Sequence, residues 1–518
     1  MEDLPDLTAP VQLPLHIPLA PHLHDHRFDG RAVLPAVEAL DLLARAARRH
    51  DPDLDVTRMR QAAFDRFLPI DPGAPHLEAF AELSRRTDGS LAAVLATRAV
   101  SRSGAMARMK THAVAVFGGP AETVPAFPLD LAAAPEGACL TLARERIYPE
   151  LVAFGPAYRN LATLHLARAG AVADVATPAV PAAGAESGPL GSPFAFDAAM
   201  HAACIWGQRF AGIVPFPVGF DERRVLLPTR PGERYWAHVL PVATEGGVLS
   251  FELRLYDGEG RLCELCLGLR MRDVSAGRMR PPDWVRAEGA PLGRLAGACR
   301  ATSIVEIAAL APFAEQALSA PERARVEGLR GRRRASCVAA RLACKRLSRR
   351  LSGDDHRTPS EAITTVRPER PQLPACPRTD GRGAEACSVA HDRRFAVAVA
   401  AQGPVGVDVE ALDERVLKSR ALYMRPAEEA LVRASALGEV AAAVRIWSVK
   451  EAVTKALDIT LAAAWERVEA TAVGEDESRL RVDGREEVRA VHDRVGEHVF
   501  TVVVGQFCDP TDRSDRTD

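Results

Sequence analysis

The chain has 518 residues, room for more than one domain with a substantial core. Hydrophobic residues make up 47% and charged residues 26%, a soluble globular balance that excludes a fibrous or wholly disordered chain. A net charge of −2 leaves no global electrostatic case for nucleic acid or a membrane surface. No apolar run reaches spanning length, and Met1-Glu2-Asp3-Leu4-Pro5-Asp6 is acidic where a signal peptide is basic, so a cytoplasmic protein is expected. The ten cysteines are scattered, which predicts reduced thiols rather than a disulfide framework. Cys263-Glu264-Leu265-Cys266 has no second pair near it and reads as structural, not metal-binding.

In chain order, the first chemistry-bearing segment is Asp25-His26-Arg27-Phe28-Asp29-Gly30-Arg31-Ala32-Val33-Leu34-Pro35. Gly30 and Pro35 are expected to fix a turn into a helix over 34–49, with the proline at its first position. That puts His26 at a helix entrance, where a neutral imidazole can accept a proton. His22, His24 and His26 alternate and would share one strand face, yet three histidines on one strand stand too far apart to converge on a small ion. Strands are expected at 92–100, 110–117, 248–256 and 261–271, and a second helix at 196–210. Two long helices among many antiparallel strands predict an α+β domain built twice, each half a sheet wrapped on one helix. Residues 170–193 read as loop, with Ala182 to Pro189 its clearest part.

These N-terminal residues resemble the His-x-x-x-Gly-x-x-x-x-Pro signature of polyketide synthase dehydratases, which have a double-hotdog fold. Asp197-Ala198-Ala199-Met200-His201 resembles that family's Asp-x-x-x-Gln/His signature, and Phe154-Gly155-Pro156 lies where the family usually has Tyr-Gly-Pro. The resemblance covers roughly residues 10 to 275. It implies that His26 removes the α-proton of a β-hydroxyacyl thioester and that Asp197 protonates the departing hydroxyl, with His201 orienting Asp197 or the substrate. Phe154 lacks the family's hydroxyl, and Arg159 replaces a commonly apolar or amide position. A homodimer through the first hotdog is expected by resemblance only.

Residues near 274 to 296 read as an interdomain linker. The expected organisation is a dehydratase-like domain over 1–280, a linker over 281–298, a second domain over 299–508 and a disordered tail over 509–518. The second domain opens with a long basic helical region, 321–350, in which Arg341 and Lys345 stand at i, i+4. Short strands follow at 387–391, 395–400 and 405–410, then helices near 426–437 and 439–457. In Gly406-Val407-Asp408-Val409-Glu410 the valines face one way and Asp408 and Glu410 the other, two carboxylates that repel unless a cation or solvent relieves them. In Trp447-Ser448-Val449-Lys450-Glu451-Ala452-Val453-Thr454-Lys455, a helix places Ser448, Glu451 and Lys455 on one face beside an apolar stripe. Three carboxylates point to one hard divalent ion, with lysines beside them for phosphate oxygens.

Both segments resemble the signatures of Sfp-type 4'-phosphopantetheinyl transferases, Gly-Val-Asp-x-Glu and Trp-Ser-x-Lys-Glu-Ala-x-x-Lys. Ser388-Val389-Ala390-His391 resembles that family's Ser-x-Ser-His element, with Ala390 for the second serine, and Arg341 to Lys345 its Arg-x-Ala-x-Lys element. The resemblance implies a two-lobed α+β domain with Mg2+ on Asp408, Glu410 and Glu451. It implies coenzyme A as substrate, bound by Arg341, Lys345, His391, Lys450 and Lys455, with Glu451 and Lys455 catalytic. The partner would be an acyl carrier protein of a polyketide or fatty-acid synthase. The expectation is thus a bifunctional, carrier-directed enzyme. The alternatives are a hotdog half that only binds carrier or dimerises, or one that is a thioesterase.

Overall fold

In a computed structural model of the chain, residues 10–100, 107–120, 123–124, 126–179, 188–287, 292–354, 356–366 and 386–505 are described. The expected tail 509–518, Gly289 of the linker and most of the loop 182–189 lie outside them. The chain divides into two units, Met1–Pro125 with Leu140–Ala287, and Ala126–Cys139 with Glu288–Asp518. Residues 126–139, which the sequence reading put in the first domain, thus pack with the second unit.

The first unit is a twelve-stranded sheet. It runs from the edge strand Val11–Pro18 through His76–Arg85, Leu91–Val100, Ala107–Phe117 and Arg58–Ala63 to Phe216–Val225. It continues through Leu262–Arg272, Val248–Tyr256, Arg234–Glu245, Gly170–Ala176 and Leu161–Ala167 to the other edge at Leu140–Ala143. Its two halves meet where Arg58–Ala63 pairs antiparallel with Phe216–Val225, and each half wraps on one helix, the α+β double hotdog expected. The first helix, Ala36–His50, buries Val37, Leu40, Leu43, Ala44 and Ala47 at helical spacing; each fully buried leucine stabilises by about 1.5–3 kcal/mol. The second, Pro193–Phe210, is buried on nearly every side from Phe194 to Gln208, so polar residues on it are enclosed rather than solvated. Residues 170–176, expected as loop, form a central strand paired on both sides. Its Ala- and Gly-rich sequence has weak β-propensity, and two flanking strands decide its conformation.

The second unit has two lobes. In one, Ala301–Glu306, Phe395–Ala401 and Ala386–His391 form a three-stranded sheet against the helix Gly331–Ser352. In the other, Val405–Ala411, His498–Val504, Arg485–Val495, Glu477–Val482 and Val468–Val473 form a five-stranded sheet against the helix Glu439–Leu457. Val405, Val407 and Val409 join Ile304, Val397 and Phe500 in one core cluster. The opposite face of that strand meets the helix so closely that a Cβ at Gly406 would lie 1.7 Å from the Ala452 carbonyl oxygen. Only glycine fits there.

Cys263 and Cys266 are free and buried in the first sheet. Seven described cysteines are free, in line with reduced thiols rather than a disulfide framework, while Cys387 is disulfide-bonded. No helix among the described residues is long and apolar enough to cross a membrane.

Candidate functional site

In the first unit a cavity of about 750 Å3 is lined by His26, Phe154, Asp197, Met200, His201 and Cys204 among others. His26 follows a one-turn 3-10 helix, Pro21–Asp25, and opens a tight hairpin in which Gly30 has φ +76°. Pro35 caps the following helix from one position before its start, rather than occupying the first turn. His26 Nδ1 lies 3.3 Å from the Val33 carbonyl oxygen. A carbonyl can only accept, so Nδ1 carries the hydrogen and Nε2 keeps its lone pair for a proton. Burial lowers the His26 pKa, opposed by Asp197 and aided by His201, so the imidazole is neutral at pH 7. The Asp25 carboxylate accepts from Ala157 N–H at 2.9 Å and its carbonyl from Gly155 N–H at 2.7 Å. A Cβ on Gly155 would strike that carboxylate, so the Gly-Pro turn and the His26 loop close on one another only with glycine there. Phe154 stacks on the His26 ring with centroids 4.4 Å apart.

Asp197 and His201 stand one turn apart on the second helix, Asp197 Oδ2 being 2.9 Å from His201 Nε2. Neither atom has another hydrogen-bond partner, so the two side chains are matched to each other inside the cavity wall. Burial pushes the Asp197 pKa up, but His201 and His26 together hold it below the ordinary carboxylate value. Tyr148, which the sequence reading missed, has its hydroxyl 3.4 Å from His201 Nδ1 and accepts from Leu161 N–H at 2.8 Å. No motif marks it: it lies six residues before Phe154 on another element. Arg159 donates to the Phe154 carbonyl at 2.8 Å and so braces the turn. His22 and His24 lie within the 3-10 turn, not on a strand.

In the second unit the strand Val405–Ala411 and the helix Glu439–Leu457 bring Asp408, Glu410, Glu451 and Lys455 together. Asp408 Oδ2 accepts from Ser448 Oγ at 2.8 Å and Oδ1 from Lys455 Nζ at 3.0 Å. Glu410 accepts from Trp447 Nε1 at 3.1 Å, and Glu451 lies 3.9 Å from Lys455. The pKa of Glu410 rises to about 7 through burial, then the charges of Asp408, Glu451 and Asp392. Burial and Asp408 likewise take Glu451 to about 7 against the pull of Lys455. One lysine among three carboxylates is too little positive charge, and the donor set is all hard oxygen, which suits a divalent cation such as Mg2+, though the three carboxylates do not converge within 4.8 Å of one another and would have to close on the ion. Across the lobe, His391 is exposed, yet partial burial and the charges of Lys455 and Arg341 lower its pKa. Arg341 donates to Thr365 at 2.9 Å and leaves its buried Nε without a partner, an unmet donor that suits an anionic oxygen.

Two expected phosphate ligands are placed elsewhere. Lys450 is fully buried, 2.7 Å from Glu428, and donates to the Tyr423 carbonyl at 2.6 Å. Lys345 is fully buried 2.7 Å from Glu322 and donates to the Ser360 carbonyl at 2.9 Å. A buried ammonium already matched to a carboxylate is not available to a phosphate, so both are corrected to structural roles. Their partners, Glu322 and Glu428, stand at N3 of short helices and carried no motif.

Residues 404–503 match the family model of the 4'-phosphopantetheinyl transferase superfamily, and residues 128–281 that of the polyketide synthase dehydratase N-terminal domain. The chain joins a polyketide synthase dehydratase domain to a phosphopantetheinyl transferase superfamily domain. The dehydratase match includes Asp197 and His201 but not His26. Among solved structures, the chain resembles a trans-AT PKS dehydratase domain from Brevibacillus brevis at 16% identity, covering 51% of this chain and 94% of that one, TM-score 0.43. It also resembles the dehydratase domain of RzxB from Pseudomonas fluorescens at 20% identity, covering 50% and 94%, TM-score 0.41. A third is the dehydratase domain of a mycocerosic acid synthase-like PKS, at 20% identity, covering 53% and 99%, TM-score 0.40. A search of curated proteins found no match to the chain.

Proposed function

We propose that the transferase domain moves 4'-phosphopantetheine from coenzyme A to a serine of an acyl carrier protein. The observation that carries this reading is Lys455 held between Asp408 and Glu451, with Glu410 close enough to feel both carboxylates. A Mg2+ ion held there would supply charge for the pyrophosphate of coenzyme A. Lys455 neutralises negative charge that develops on the transferring phosphate, and Arg341 and His391 bind the remaining phosphate oxygens. Glu451 takes the proton of the carrier serine as its oxygen attacks the β-phosphorus. The bond to 3',5'-adenosine bisphosphate breaks, and that product leaves. The test is the carrier's intact mass after incubation with coenzyme A and Mg2+. A carrier whose mass stays unchanged, or gains the arm equally with Asp408→Ala, rejects the reading.

The dehydratase domain, in this reading, acts on β-hydroxyacyl thioesters of the same carrier. His26 Nε2 removes the α-proton, and the Asp197–His201 pair delivers a proton to the β-hydroxyl as its C–O bond breaks and water leaves. The proton gained by His26 restores the pair. A second reading, a carrier-binding module without catalysis, is favoured by the missing hydroxyl at Phe154. A β-hydroxyacyl carrier separates them: loss of water that disappears in His26→Ala supports catalysis, unchanged substrate supports the module, and free acid indicates a thioesterase.

A further inference from the structure

The edge strand Val11–Pro18 pairs antiparallel with His76–Arg85 in a register that sets His16 opposite Glu78 and Pro18 opposite His76. Residues two apart on a strand share a face, so His76 and Glu78 project to the same side and His16 meets both. Leu15 and Ile17 alternate into the core, which commits His16 to the outer face. His16 Nδ1 is 2.7 Å from Glu78 Oε1, and His76 Nε2 is 3.4 Å from the same oxygen. The two imidazoles lie side by side, centroids 4.0 Å apart and planes at 31°. All three donor atoms fall within 4.8 Å of one another, the one grouping of this kind among the described residues.

We propose that His16, His76 and Glu78 form a binding site for a borderline divalent transition-metal ion, with Zn2+ the probe of choice. Tetrahedral zinc with ligand bonds of roughly 2.0–2.2 Å needs donors about 3.3–3.5 Å apart. The three observed atoms bracket that spacing, so small side-chain rotations complete the set. Two imidazoles and one carboxylate favour Zn2+, Ni2+ or Cu2+ over Mg2+, which separates this site from the hard-oxygen cluster at Asp408. Without an ion His16 shares one hydrogen bond with Glu78, whereas one divalent ion would engage all three side chains at once. The side chains are 62%, 40% and 64% exposed for His16, His76 and Glu78, which leaves a coordination position open to water or an anion. The ion would fasten the edge strand to its neighbour just before the turn that leads to His26. Because it binds the folded ladder and not the unfolded chain, it stabilises the fold.

The test is competition of the full-length, metal-stripped protein against a chromogenic zinc chelator, with Co2+ absorption to identify ligand type. Wild type should hold one zinc equivalent more than His16→Ala/His76→Ala, with Glu78→Gln binding it at least tenfold more weakly. Excess Mg2+ should not displace that equivalent, and its cobalt form should lack a thiolate charge-transfer band. Equal stoichiometry and affinity in wild type and both variants, or a thiolate band accounting for all bound cobalt, overturns the proposal. All three residues are exposed, so circular dichroism should show the variants folded; a variant that unfolds is read through the other.

Discussion

At His26 the Val33 carbonyl selects the tautomer and burial selects the charge, so the same few atoms decide whether the ring is a base. A base with a lowered pKa stays neutral to lower pH. The acid limb of kcat/KM for dehydration should therefore fall below pH 6.5, the ordinary imidazole value. A pH–rate profile whose acid limb lies at or above 6.5 contradicts the burial argument. Gly406 is the comparable residue in the transferase domain. A methyl group there would have to displace the Ala452 carbonyl, a backbone atom that cannot rotate away. Gly406→Ala should cost about 3 kcal/mol or more by overpacking, and chemical denaturation of that domain would measure it.

On the helix Glu439–Leu457, neighbouring lysines have opposite fates. Lys455 reaches Asp408 across to the strand, whereas Lys450 turns into the core toward Glu428, whose other oxygen accepts from Ala470 N–H at 2.8 Å. Removing one partner of such a buried pair costs about 3–5 kcal/mol. Lys450→Met should accordingly lower the melting temperature with little change in KM for coenzyme A in the folded fraction. Lys455→Met should lower kcat by an order of magnitude or more at nearly unchanged Tm. Thermal melts alongside kinetics at low temperature distinguish the two. The helical period placed Glu451 and Lys455 on one face correctly, and alternation placed Asp408 and Glu410 likewise. What the period could not say is which other face is covered, because Glu428 lies 22 residues before Lys450 and Glu322 lies 23 before Lys345. The strand Gly170–Ala176 was hidden for a similar reason, since its pairing partners and not its small residues fix it.

At the scale of the molecule, the second unit is assembled from two pieces of chain. Asp130, from the short piece Ala126–Cys139, accepts from Arg349 at 2.7 Å and from Ser360 Oγ at 2.6 Å. Its carbonyl, with that of Ala134, accepts from buried Arg346 at 2.7 Å. Gly137 N–H donates to the Ile304 carbonyl at 2.9 Å, beside the three-stranded sheet. A boundary at 280 is a natural reading of the sequence, because nothing local to 126–139 announces guanidiniums more than two hundred residues away. Asp130→Ala should remove one of the two carboxylates on Arg349, leaving Asp354 at 2.9 Å, and the acceptor of Ser360 Oγ, destabilising the transferase unit by about 1–3 kcal/mol, read as a lower temperature for half-inactivation of transfer. An unchanged half-inactivation temperature would mean the short piece is not part of that unit's stability. Phosphopantetheine transfer depends first on the carboxylate cluster around Asp408. Its direct test is the intact mass of an apo carrier protein incubated with coenzyme A, Mg2+ and full-length wild type, Asp408→Ala or His26→Ala. Wild type and His26→Ala should add the phosphopantetheine arm at equal rates, while Asp408→Ala adds none. Equal transfer by Asp408→Ala, or no transfer by wild type to any carrier, would contradict that dependence.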